Sequence, residues 1–156
     1  MAWSASKIFM ATIEDVLENT TAIDLNSDTF KAALYDNDIT PDQTVASANT
    51  AFNAGQWATA GNEVADGAEW ATGGVALSSV TSTFSSNVYT FDAADTASGS
   101  SATLAAVYGC LVYDDTITTP VADQGVCYTY FGGTNSVTDG TFTVAWHANG
   151  IFRLTL

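Results

Sequence analysis

His147 is the only histidine in the chain, so any imidazole chemistry must run through it. Such a base needs a nucleophile and an orienting acid. No Gly-x-Ser-x-Gly elbow precedes a helix, and no Asp or Glu lies within the stretch around His147. It therefore reads as a polar residue at the edge of a hairpin. Carboxylates come in pairs at Asp36/Asp38, Asp92/Asp95 and Asp114/Asp115. A glycosidase pair needs two carboxyls facing one cleft, one of them in apolar surroundings. All three pairs instead flank turns, where Asp is favoured for backbone reasons. The same oxygens could serve Ca²⁺, which draws its ligands from loops. Asp36-Asn37-Asp38 starts like an EF-hand loop but lacks the Gly and the distal Glu, which leaves only a loose interstrand Ca²⁺ site open. Cys110 and Cys127, with one His, cannot complete a four-ligand Zn site. They fall on neighbouring predicted strands, so a cross-strand bridge and two buried thiols both stay open. Gly73-Gly74 and Gly132-Gly133 are followed by no Lys and open no helix, so neither is a phosphate loop. We assign no catalytic residue, no cofactor and no metal, and expect a protein that is not an enzyme.

The elements around these residues are mainly strands. Ile8, Phe9, Ile13, Val16 and Leu17 recur at helical spacing, Ser4 or Ser6 can cap the start, and Asn19-Thr20-Thr21 ends the run. This stripe is expected to face the core. Phe30, Ala32 and Leu34 alternate with Lys31, Ala33 and Tyr35 at strand period, and Asp36-Asn37-Asp38 closes that strand. Residues 43–73 have no clear period but hold Phe52, Trp57 and Trp70. So long an irregular stretch is expected to be functional or packed against something. From residue 74 the chain reads as all β. Strands begin at Val75 and Val88, and residues 103–113 form a nearly continuous apolar run, as in a strand buried on both faces. Together these signals predict one mainly β domain, a β-sandwich or jelly-roll-like fold of at least seven strands with one short N-terminal helix. Its divisions would be an arm and helix over 1–20, a strand and long irregular segment over 21–73, and a β-rich core over 74–156.

Near the C-terminus the register of a last hairpin can be argued. Phe142, Val144 and Trp146 share one face, and Phe152, Leu154 and Leu156 share another. A two-residue turn at Asn149-Gly150 would set these apolar sets on opposite faces. A three-residue loop, Ala148-Asn149-Gly150, pairs Trp146 with Phe152 and brings all six onto one face. The longer loop is expected, with Trp146, Phe152 and Leu154 buried and Arg153 exposed.

Composition sets the outer limits. The 156 residues carry 3 Lys+Arg against 17 Asp+Glu, a formal net charge of −14. Three cations cannot neutralise even a short run of phosphates, so nucleic-acid binding is excluded, and an anionic membrane surface would repel the chain. No apolar stretch approaches the roughly 20 residues of a spanning helix. Hydrophobic residues make up 47% and aromatics 12%, enough for a sizeable core and against disorder. Met1-Ala2-Trp3-Ser4 has no basic region and no continuous apolar run follows it, so no export signal is expected, and folding is expected in a cytoplasm.

Several phrases together resemble a known group. They are Ala2-Trp3 before a short helix, the run from Asp28 to Asp36, Thr40-Pro41-Asp42, the run from Ala106 to Asp115, and the run from Trp146 to Ile151. The chain resembles small virion structural proteins of tailed bacteriophages, of capsid-decorating or minor capsid type. That resemblance implies a place on the virion, assembled in the host cytoplasm, and binding to the outer face of the major capsid protein shell, which it stabilises. It further implies a homo-oligomer there. A tail-associated protein or carbohydrate-binding module for host attachment is the alternative. The family has no motif that defines a chemical site. Aromatics are then the expected docking groups, with Trp3, Phe52, Trp57 and Trp70 as candidates. Docking is expected to be apolar and to be helped by added salt, which screens repulsion between acidic copies.

Overall fold

The computed structural model describes residues 3–155. Among them the elements run β1 (Lys7–Ile8), α1 (Met10–Glu18), β2 (Phe30–Tyr35), β3 (Glu63–Val64), β4 (Val75–Ala76), β5 (Thr81–Ser85), β6 (Val88–Asp92), β7 (Thr96–Ala97), β8 (Ala102–Asp114), β9 (Gly125–Gly140), β10 (Thr143–Val144) and β11 (Phe152–Thr155). The protein is mainly β with one short helix near its N-terminus, as the sequence predicts.

The apolar run at 103–113 becomes β8, the middle of a six-stranded antiparallel sheet. Its neighbours are β9 and β2; β1 lines the far edge of β9, and β3 and β4 share the outer edge of β2. Over Gly109–Asp114 of β8 both faces of this sheet are buried, whereas Thr103, Ala105 and Ala106 are exposed, so the expected two-sided burial holds only for the second half of the run. Phe30, Ala32, Leu34, Cys110 and Val112 point to one side, and Ala33, Tyr35, Leu111 and Tyr113 to the other. Burial on both sides explains why the second half of β8 shows no polar alternation.

The first face packs against two small sheets, β5-β6-β11 and β7-β10, in a sandwich whose core includes Phe91, Leu104, Phe142, Phe152 and Trp70. Among the described residues no sheet covers the second face. Residues 36–57 do so as coil and two short 3₁₀ turns, and Trp3, Phe9 and Trp57 fill the layer. The part of the long aperiodic segment up to Trp57 therefore roofs one face of the sheet, while Glu63–Val64 forms an edge strand and Trp70 joins the core on the opposite face. Gly109 on β8 makes room for that packing: a Cβ there would stand 2.5 Å from the Trp3 ring and 2.4 Å from the Thr129 carbonyl oxygen.

Two expectations need correction. The helix begins at Met10, later than the stripe suggested, and neither Ser4 nor Ser6 caps it. The preceding Lys7 and Ile8 instead pair with Tyr128 and Cys127 on β9, and Ser6 Oγ accepts the Tyr130 N–H at 3.0 Å. Asn19 does end the helix, in the left-handed region. The C-terminal hairpin does not form. β10 pairs with β7 and β11 with β6, so Val144 and Phe152 belong to different sheets and Trp146 lies just beyond the end of β10. Asp95 and Thr96 outcompete the expected partner strand: Asp95 Oδ1 accepts the Trp146 backbone N–H at 2.9 Å, and Thr96 Oγ1 accepts its indole N–H at 3.2 Å. Both sheets face one core, so the predicted alternation survives. Phe142, Val144 and Phe152 are buried, Trp146 and Leu154 half-buried, and Arg153 exposed. Leu156 lies outside the described residues.

Candidate functional site

The chemistry-bearing residues singled out by sequence mostly serve the backbone. His147 is exposed, and its Nδ1 accepts the Asn149 N–H at 3.0 Å. Asp36 Oδ1 accepts from the Asp38 N–H at 2.8 Å, Asp92 Oδ1 from Ala93 at 2.9 Å, and Asp114 Oδ1 from Thr116 at 2.8 Å. Asp115 holds Lys31 at 2.9 Å. Among the described residues no three His, Cys, Asp or Glu side chains come together to hold a metal. Cys110 and Cys127 are two free, buried thiols on adjoining strands, and burial pushes Cys110 up to about 12.

The proposed docking aromatics are largely inside. Trp3, Trp57 and Trp70 are fully buried and so offer no surface to a partner. Trp3 meets Trp57 edge-on at 5.8 Å, and its indole N–H donates to the Asp36 carbonyl at 2.7 Å. Trp57 also abuts Phe9, Tyr35 and Tyr128, while Trp70 packs on Phe142. Phe52 is half-buried and stacks on Tyr113 at 5.0 Å. An aromatic-rich irregular segment was legible; that Phe52 and Trp57 point inward depends on a sheet face covered by no other sheet among the described residues, while Trp70 turns into the opposite core.

Apart from Phe84 on β5, 62% exposed, the large exposed apolar side chains among the described residues lie on α1. Buried Ala11 and Thr12 and half-buried Asp15 set the inward face of this helix, and Thr12 and Asp15 are tied down. Thr12 Oγ1 donates to the Gly125 carbonyl at 2.6 Å, and Asp15 Oδ2 accepts from Ser47 Oγ at 2.6 Å and from Gln124 Nε2 at 2.8 Å. Burial works against the charge on Asp15, but the hydrogen bonds from Ser47, Gln124 and Thr20 outweigh it and hold its carboxyl below the usual range. At 100° per residue, the stripe of Ile13, Val16 and Leu17 is turned about 140° away from that inward face. The expectation that the stripe from Ile8 to Leu17 faces the core holds for Phe9, which is fully buried, and in part for half-buried Ile8 and Ile13, but fails at Val16 and Leu17. Leu17 is 81% exposed, Met10 57% and Val16 42%.

The stripe forms one wall of a groove of about 270 Å³. Ile8 and Val126 lie on its floor side, Ile23 and Leu25 form a second wall, and Tyr89, Phe152 and Leu154 of the three-stranded sheet complete it. Every lining side chain is uncharged in a chain of net charge −14. Contiguous apolar surface of this kind marks an interaction site more often than a lone exposed Leu does. Sequence reading passed over Ile23 and Leu25. Their period-two spacing within the polar stretch 20–28 was the available signal. Comparison with known protein families, with curated proteins and with solved structures finds no match to this chain.

Proposed function

We propose that the chain is a structural component of a tailed-phage virion, a minor capsid or decoration protein that docks through the α1 groove onto the outer face of the capsid shell and stabilises it. The observation that carries the reading is the outward apolar stripe of α1, with Leu17 81% exposed beside an uncharged groove. Its occupant is an apolar ridge of a shell subunit. A second copy of this chain fits the groove less well. It would bring its own Glu14 and Glu18, exposed on α1 beside the stripe, against the same residues of its neighbour. The acidic surface keeps free copies dispersed and away from packaged DNA. The carbohydrate-binding alternative loses Trp57 and Trp70 as stacking platforms, because both are buried.

Re-adding purified chain to stripped, empty shells across a salt series tests this reading. Apolar docking predicts occupancy that holds or rises with salt, since screening weakens repulsion between acidic copies. Occupancy that falls steeply as salt rises would assign the contact to a basic patch and end the groove reading.

A further inference from the structure

We propose that Asp28 and Asp114 share one proton and form an acid-held latch on the groove wall that carries Ile23 and Leu25. Asp114 ends β8 and is wholly buried. Its Oδ1 accepts the N–H groups of Thr116 at 2.8 Å and Ile117 at 3.3 Å, while its Oδ2 is buried with no donor. A buried carboxylate oxygen without a donor is costly. The group beside it is another carboxyl, that of Asp28. Backbone pairing keeps the two together: Asp115 N–H donates to the Thr29 carbonyl at 2.8 Å, and Thr29 N–H donates to Thr116 Oγ1 at 2.8 Å. Two carboxyls in that position are stable when one retains its proton and bridges to the other.

Asp28 passes the constraint on. Its Oδ2 accepts the Asp24 N–H at 2.6 Å, and the Asp24 carbonyl accepts the N–H groups of Ser27 at 3.2 Å and Asp28 at 3.0 Å. The Asp24 carboxylate closes the turn by accepting from Asn26 N–H and Ser27 Oγ, and the Ser27 bond in particular holds it below the usual range. Asp24 thus stays ionised, and the carboxyl that keeps its proton is that of Asp114. The remaining charges nearby are the Lys31–Asp115 ion pair and Asp123, whose carboxyl is raised by burial and by Asp115. Leu25 belongs to the turn and Ile23 immediately precedes it, and both line the groove.

Burial, with the Asp28 carboxyl adding to it, pushes Asp114 from an ordinary 3.8 up to about 7. A raised folded-state value means that folding favours the protonated form. The latch is therefore fully closed below about pH 4, and its contribution is lost as pH rises toward 7. Once both carboxyls are ionised, half-buried Asp28 is repelled toward solvent, the Asp24 bond goes with it, and the wall loosens.

The latch is a property of the free chain; only its effect on docking rests on the reading of the groove given above. Amide hydrogen exchange in residues 24–28, corrected for its intrinsic pH dependence, is expected to quicken about tenfold between about pH 5 and about pH 8. In Asp28→Asn the carboxamide donates to Asp114 Oδ2 and still accepts from Asp24, so the same exchange should be flat with pH. Equal pH dependence in both proteins, or none in wild type, overturns the latch. Carbon-13 titration of the wild-type carboxyls gives a second readout. One step of the Asp28–Asp114 pair should lie far above the ordinary carboxylate range, and two ordinary steps would overturn the proposal. Shell occupancy should fall with rising pH in wild type but not in Asp28→Asn. A latch that titrates while occupancy ignores it would count against groove docking and leave the latch intact.

Discussion

The two faces of the six-stranded sheet are finished in different ways. On one, a roof without regular structure seals a layer of Trp3, Phe9, Tyr35, Trp57, Tyr113 and Tyr128. Polar tips that reach it mostly find backbone partners: Tyr35 donates to the Trp57 carbonyl at 2.7 Å and Tyr113 to the Gly73 carbonyl at 2.6 Å. On the other face two small sheets close an aliphatic and Phe-rich core, but beside β11 that core runs out into the α1 groove. In this molecule the tryptophan-rich layer and the open apolar surface lie in different regions. The tryptophans hold the fold together, and plain aliphatic side chains on a short helix supply the open surface.

Breaking the sealed face should have the largest effect. Trp57 touches four other aromatic rings and is fully buried, so Trp57→Ala is expected to cost about 3–5 kcal/mol in urea unfolding. A loss below about 1 kcal/mol would mean that the roof is not part of the cooperative unit. Next comes the seam that fixes the rotation of α1. Thr12→Val keeps the shape but removes the hydroxyl that donates to the Gly125 carbonyl, at an expected cost of about 1–2 kcal/mol. Hydrogen exchange should place that loss in α1, with β8 and β9 unaffected. Equal loss of protection in the central strands would join the two regions that the comparison separates.

Much of the sheet could be read from sequence, because its signals are local. The apolar run at 103–113 and the alternation from Phe30 to Tyr35 each carry their own period. What could not be read depends on partners far along the chain. The rotation of α1 is set by Thr12 reaching Gly125 and by Asp15 reaching Ser47 and Gln124, and no helical wheel contains those contacts. An amphipathic stripe predicts a buried face only when burial of that stripe decides the packing. Here hydrogen bonds from small and polar residues decide it. The C-terminal hairpin failed for a similar reason: its turn chemistry was plausible, but Asp95 and Thr96 capture the end of β10. Trp57 and Trp70 carried an ambiguous signal, since aromatic residues in an irregular segment suit a roof and a docking surface equally well. Asp28 is brought toward Asp114 by backbone contacts of Thr29 with Asp115 and Thr116, just beyond the pairing of β2 with β8.

The smallest expected change in stability gives the most direct test of the central claim that docking and stability reside in different regions. Leu17 is 81% exposed, so Leu17→Ser should leave unfolding within about 0.5 kcal/mol of wild type. It removes the most exposed side chain of the groove wall without adding charge. Binding of this variant and of wild type to empty shells is to be compared at one salt concentration and one pH. Affinity weakened roughly tenfold or more at unchanged stability is expected. Unchanged affinity in a variant that folds as wild type would contradict it and move the docking surface away from α1.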